Sequence, residues 1–210
     1  MFESSRAHHP HPLRGVTPLQ EIEIKLRMST VASAKRLLMQ NGFAVTTPRH
    51  GERNLLLDTH PPSLRPAGTV LRLRQARGES IITYKGKGDS AGKHKVREEL
   101  EVQASSWSGT LEILSRLGYT PTFRYDKYRT VYARARERGQ AMLDETPMGA
   151  FLELEGAARW IDRTAARLGF TEAGYITASY GALWTAHRKA AGLPLTDCIF
   201  PTLLPPRRKT

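Results

Sequence analysis

Charged and aliphatic positions alternate along this chain in short bursts, each with the two-residue period of a β-strand. The clearest burst is Glu21-Ile22-Glu23-Ile24-Lys25. As a strand it places Glu21, Glu23 and Lys25 on one face and Ile22, Ile24 and Leu26 on the other. Two carboxylates beside an amine are what a divalent cation and a phosphate would both need. The pentapeptide alone fits a solvated antiparallel strand equally well. Recurrence along the chain decides between the two.

After Ser29 the period turns helical to Asn41, with Val31, Ala34, Leu37 and Leu38 as the apolar stripe, Ser29 or Thr30 as cap and Gly42 at the stop. Residues 53–59 read as a strand running into a loop with Pro61, Pro62 and Pro66. Residues 70–74 alternate again and put Arg72 and Arg74 on one face. Residues 81–85 follow, with Lys85 in step with Ile81 and Thr83, joined to the previous strand across Gly78-Glu79. In residues 95–102, Arg97, Glu99 and Glu101 share a face, and Arg97 reads as paired to an adjacent Glu. A helix is expected over residues 107–116, stopping at Gly118, then a strand over residues 123–132 that points Lys127 and Arg129 the same way. Residues 140–144 form a short strand ending in Asp144. Residues 151–155 repeat the first burst with Glu153 and Glu155. Helices over residues 157–168 and 178–190 precede Gly169 and Gly192.

Three acidic pairs, Glu21/Glu23, Glu99/Glu101 and Glu153/Glu155, are each followed by a helix ending in Gly-aromatic: Gly42-Phe43, Gly118-Tyr119, Gly169-Phe170. This echo suggests a repeated strand-then-helix unit in one domain, too unevenly spaced for a solenoid. Residues 1–18 form a His- and Pro-rich disordered arm in which His8, His9 and His11 could bind a metal, residues 19–190 one domain, and residues 191–210 a tail.

The aliphatic faces need a cover, most simply the helices. The sheet is therefore expected to curl with its charges inward, inverting the usual small barrel. Carboxylates gathered inside need a cation, and gathered Arg and Lys need an anion. A wet tunnel holding divalent metal and polyphosphate satisfies both, Arg donating two parallel bonds to phosphate and Mg²⁺ bridging carboxylate and phosphate oxygens.

Composition narrows the field. The net charge is +12, from 32 Lys plus Arg against 20 Asp plus Glu, which favours an anionic partner. Aromatics are sparse among the basic strands, which counts against nucleic acid, and the basic tail Arg207-Arg208-Lys209 is the one plain electrostatic arm. No apolar run of about 18 residues occurs, so no membrane span is expected, and residues 1–18 lack the apolar core of a secretory signal. The single cysteine, Cys198, fits a reducing, cytoplasmic setting and reads as an incidental thiol. Gly86 to His94 is no phosphate-binding P-loop: Lys87 stands where its first glycine belongs and His94 where Ser or Thr belongs. It reads as a mobile basic loop.

Glu21-x-Glu23-x-Lys25 resembles the ExExK signature of the CYTH domain, the triphosphate tunnel metalloenzymes. Leu71-Arg72-Leu73-Arg74, Thr83-Tyr84-Lys85, Arg97-x-Glu99-x-Glu101, Lys127-x-Arg129 and Phe151-x-Glu153-x-Glu155 match in order over residues 19–185. The resemblance implies an α+β fold: an eight-stranded antiparallel closed β-barrel with a charged interior and helices packed outside. It implies Mg²⁺ or Mn²⁺ at Glu21, Glu23, Glu99, Glu101, Asp144, Glu153 and Glu155. The triphosphate would lie on Lys25, Arg72, Arg74, Lys85, Lys127 and Arg129, with Lys25, Glu21 and Glu23 catalytic. Where the family often has Tyr-Asp-Thr, Leu57 replaces the aromatic before Asp58. The favoured reading is a hydrolase removing the terminal phosphate of a triphosphate, since neither a purine nor a thiamine slot is legible. The alternatives are a class IV-type adenylate cyclase and a non-enzymatic polyphosphate or nucleotide binder. The oligomeric state is not legible, a dimer included.

Overall fold

The computed structural model describes residues 19–89 and 92–201. Eight strands close into an antiparallel barrel in the order β1-β5-β4-β3-β2-β6-β7-β8. They are β1 (Leu19–Met28), β2 (Ala44–Asp58), β3 (Val70–Ala76), β4 (Glu79–Lys85), β5 (Lys95–Ala104), β6 (Thr120–Ala133), β7 (Gly139–Thr146) and β8 (Gly149–Gly156). β1 closes the ring by pairing with both β5 and β8. Four helices, α1 (Val31–Gln40), α2 (Trp107–Arg116), α3 (Ala158–Arg167) and α4 (Tyr180–Ala190), complete the architecture. The charged alternation does turn inward: Glu21, Glu23, Lys25, Arg72, Arg74, Lys85, Glu99, Glu101, Lys127, Arg129, Glu153 and Glu155 all line one central bore.

The aliphatic alternates form the outer faces. Ile24, Leu26, Leu143, Leu152 and Leu154 are fully buried and packed with Leu38 of α1 and Ile161 and Ala165 of α3. Each such side chain contributes about 1.5–3 kcal/mol when removed from water. Leu57 and Leu73 pack against Leu114 of α2 in the same way. Tyr84 and Val102, on the outer face of β4 and β5, stay exposed. α4 differs from the other three. Its Tyr180 and Trp184 pack on Phe151, Met148 and Cys198, and its first turn reaches the bore.

The Gly-aromatic echo has one physical cause. Gly42, Gly118 and Gly169 adopt φ of 77°, 88° and 84°, the left-handed conformation that ends a helix without steric cost. The next N–H of each, from Phe43, Tyr119 and Phe170, returns to the carbonyl of Leu38, Leu114 and Ala165 at 2.9–3.0 Å. The aromatic rings then join the clusters beneath their helices.

Two features depart from the pattern-based reading. β2 begins at Ala44 rather than near residue 53, because irregular pairing with β6 between Val45, Thr47 and His50 breaks the two-residue period. The loop after β4 is tied down at its described end. Lys93 pairs with Asp162 at 3.0 Å and also with Glu172, and His94 Nε2 lies 2.9 Å from Asp162. The histidine-rich arm and the basic tail residues Arg207, Arg208 and Lys209 lie outside the described residues.

Candidate active site

The bore holds about 210 Å³. Most of its charges come in interlocked pairs. Lys25, from the centre of β1, sits 2.9 Å from Glu23 and 3.0 Å from Glu153 of the neighbouring β8. Lys127 meets Asp144 at 2.8 Å, and Arg129 grips the same carboxylate with two bonds of 2.7 and 2.6 Å while also contacting Glu153. Lys85 bridges Glu21 at 2.7 Å and Glu99 at 3.0 Å. Arg72 donates to Thr83 and Glu101, both at 3.1 Å, and stands 3.4 Å from Glu99. Arg74 donates to Asn54 at 3.0 Å.

Register explains these partners. Lys25 lies opposite Glu153, Arg129 opposite Asp144, Lys85 opposite Glu99 and Glu23 opposite Glu155, so alternation on separate strands converges at the axis. Asp144 differs from the other acids predicted from sequence. It is fully buried behind the bore wall, held by Lys127, Arg129 and the hydroxyl of Tyr180 at 2.8 Å.

Burial of ionic groups is costly, and the pairing shows in their protonation. Burial would lower the Lys25 amine, but Glu23 and Glu153 outweigh it and hold it raised. Burial would likewise raise the Glu153 carboxyl, yet Lys25, Lys127 and Arg129 hold it well below the ordinary range. Two acids go the other way. Burial, then Glu21 and Glu153, push Glu155 up to about 6. Burial, reinforced by Glu21 against Lys85, pushes Glu99 up to about 7. Among the described residues no ion pair joins Glu155 to a base.

Glu21 and Glu99 share the single Lys85 amine and Glu155 has no paired base, so these three acids are short of positive charge among themselves. A divalent cation bound by oxygen ligands would supply it, so the donor chemistry fits such an ion. Among the described residues, no three acidic or histidine side chains gather at ligand spacing, because most carboxylates are closed on neighbouring bases.

Several residues of the site escaped the sequence reading. Glu52 is buried on the irregular strand β2, within 3.5–3.6 Å of Lys127 and Arg74. Counting back in twos from Leu56 through Asn54 would have found it. Lys95 sits 2.5 Å from Glu23 and follows the same alternation as Arg97 and Glu99. Arg97 itself lines the bore, and no ion pair joins it to a neighbouring Glu among the described residues, contrary to the expected pairing. Its buried Nε, like that of Arg72, has no hydrogen-bond partner. Ser179 and Tyr180 enter from α4, with the Tyr180 ring 5.3 and 5.2 Å from the Lys25 and Lys127 amines. Asp58 stands apart: its carboxylate accepts the backbone N–H groups of Thr59, Ser63, Leu64 and Arg65 at 2.8–2.9 Å and organises the loop after β2.

A sequence model of the CYTH domain matches residues 19–166. Solved structures of the same fold include one from Vibrio parahaemolyticus described as a candidate adenylate cyclase. It is 21% identical, with TM-score 0.63 over 76% of this chain and 94% of that one. A protein from Pyrococcus horikoshii OT3 is 22% identical, with TM-score 0.65 over 80% and 99% of the two chains. A Hippeastrum protein, described as a candidate adenylyl cyclase that reveals a dominant triphosphatase activity, is 21% identical, with TM-score 0.58 over 83% and 97%. No curated protein matches the chain.

Proposed function

The chain belongs to the CYTH domain family, and on that premise we propose that it is a divalent-metal-dependent hydrolase that removes the terminal phosphate of a triphosphate compound. Members of the family are triphosphatases or cyclases and depend on metal in general. One observation carries the reading. Arg72 and Arg97 both point into the bore with a buried, unpartnered Nε, amid Lys25, Lys85 and Lys127. An unsatisfied buried donor costs about 1–3 kcal/mol. A phosphate oxygen accepting from it recovers that cost and adds a charge-assisted bond. A neutral oxygen would satisfy the donor but leave the surplus positive charge of the bases unbalanced, and a cation offers no acceptor.

Mg²⁺ or Mn²⁺, when bound by Glu21, Glu23, Glu153 and Glu155 with Glu99 and Glu101 alongside, supplies charge neutralisation on the phosphate oxygens. The bases do the positioning. Lys25, Arg72, Arg74, Lys85, Arg97, Lys127 and Arg129 hold the triphosphate along the bore and disperse charge as the transferring group loosens. Asp144 and Glu52 act behind them: each fixes the bases whose charges face the phosphate. Water forms the new P–O bond to the terminal phosphorus, the bridging P–O bond breaks, and the diphosphate end leaves. The proton of that water passes to a carboxylate on the acidic side of the bore.

Phosphate release from tripolyphosphate, ATP and thiamine triphosphate, with Mg²⁺ or Mn²⁺ and with excess chelator, tests the proposal. Metal-dependent release from at least one of them is expected. Cyclic AMP in place of phosphate from ATP would assign the chain to the cyclase reading. Tight binding without turnover of any substrate would leave it a polyphosphate binder. No helix among the described residues is long and apolar enough to cross a membrane.

A further inference from the structure

Three adjacent inward rows of the barrel change character toward one end. On β2 it runs Glu52, Asn54, Leu56; on β3, Arg74, Arg72, Val70; on β6, Arg129, Lys127, Tyr125, Phe123. The ionic rows thus end in Leu56, Val70 and Phe123. Beyond them opens a second cavity of about 1020 Å³, roofed by α4 and flanked by the loop that Asp58 organises. The two spaces adjoin, with Leu56, Val70, Ser179 and Gly181 in the walls of both.

The shapes of the two spaces differ as their linings do. A bore of about 210 Å³ lined by charge suits an extended phosphate chain and leaves no room for a ring system. The adjoining space falls at the upper end of the ~300–1,000 Å³ typical of small-molecule pockets. Phe123 and Trp184 offer aromatic surface there, beside Leu57, Leu71 and Leu195. Gly181 leaves the passage clear: a Cβ at this position would stand 3.4 Å from the Phe123 ring, so any longer side chain would enter the gap between α4 and β6. An inorganic polyphosphate would gain nothing from apolar ends on three successive inward rows.

We propose that the substrate is an organic triphosphate, whose phosphate chain lies in the charged bore and whose flat-ringed head group occupies the apolar cavity between α4, Phe123 and the β2–β3 loop. This rests on the reading of the bore as a triphosphate site. The head group's burial supplies binding energy remote from the reacting phosphorus and fixes which end of the chain faces the acidic side. The same cavity sets specificity, because tripolyphosphate fills only the bore.

Ala182 and Ala186 are exposed on α4 and line the cavity but not the bore, so Ala182→Trp and Ala186→Trp fill it without entering the ionic network of the bore. In steady-state phosphate release, each variant should raise KM for ATP or thiamine triphosphate, whichever the wild type prefers, at least tenfold. kcat/KM for tripolyphosphate should stay within about twofold. Calorimetry with the same compounds in the absence of metal reports binding independently of turnover. Organic triphosphate binding that is lost in both variants, with no phosphate released by any form, would keep the cavity assignment and remove the hydrolase reading. Cleavage of tripolyphosphate at least as efficient as that of both organic substrates, with both variants unchanged on every substrate, would overturn the cavity assignment and keep the hydrolase.

Discussion

Lys25 shows how one side chain joins fold to chemistry. Its amine lies between Glu23 and Glu153 and beneath the Tyr180 ring, with its side chain about 3% exposed. Removing one member of a buried ionic set leaves the remaining charges uncompensated, at a cost of about 3–5 kcal/mol when no other partner remains. Glu23 keeps Lys95 and Glu153 keeps Arg129, so the penalty here should be smaller. Lys25→Ala should lower kcat/KM by about 10²-fold or more while the protein still folds, with a melting temperature a few degrees lower, read by phosphate release and thermal melting. Lys25→Arg should not restore activity, because a planar fork cannot occupy the place of a compact amine between two carboxylates. Asp58 gives a contrasting prediction, of stability alone. Burial would raise its carboxyl, but four backbone N–H groups hold it lowered to about 2. A lowered folded-state pKa contributes stability above the unfolded value of about 3.9, and that contribution disappears as pH falls toward 2. Asp58→Asn should cost about 2 kcal/mol at pH 6 in urea unfolding, and its difference from wild type should shrink below pH 4. The bore-lining acids and bases predicted from sequence were legible because each lies in step on its strand. Tyr180 was not, since nothing in a helical segment announces that its first turn enters a barrel.

At the scale of elements, strand–helix joints carry the architecture, and two glycines separate the forces involved. Gly169 follows α3 with φ of 84° and has open space around the position of a Cβ, so Gly169→Ala tests backbone strain alone and should cost about 1 kcal/mol. Gly139 begins β7 under α3, where a Cβ would fall 2.4 Å from the Trp160 ring. That ring is anchored by its Nε1–H to Glu137 at 2.7 Å and cannot move freely. Gly139→Ala should therefore cost more, about 1–3 kcal/mol, with the order of the two urea midpoints as the check. Helices α1, α2 and α3 could be bounded from sequence because their Gly-aromatic ends encode a local hydrogen-bonding geometry. β2 could not, because the irregular pairing around Thr47 hides the alternation of its first half. The direction of α4 across the barrel end is set by Phe151, Met148 and Cys198, residues distant in sequence, and no local pattern specifies it.

For the whole molecule, the inversion of a small barrel is the governing fact. Six carboxylates and eight bases line the bore, so the cavity wall carries a small positive excess that a polyanion with its counter-cation would balance. The apolar rows that a barrel normally turns inward lie instead beneath α1, α2 and α3. That inversion was legible from alternation, since charged and aliphatic faces cannot both be buried against helices. The apolar end of the bore was not, because Leu56, Val70 and Phe123 read as ordinary strand residues until closure brings them together. Steady-state phosphate release from a triphosphate, measured with Mg²⁺ or Mn²⁺ for the wild type, Arg72→Ala and Glu153→Gln, tests the central claim most directly. The account expects metal-dependent turnover in the wild type, a KM raised at least tenfold in Arg72→Ala and turnover reduced at least a hundredfold in Glu153→Gln. Wild-type kinetics in both folded variants, or turnover indifferent to chelator, would contradict it.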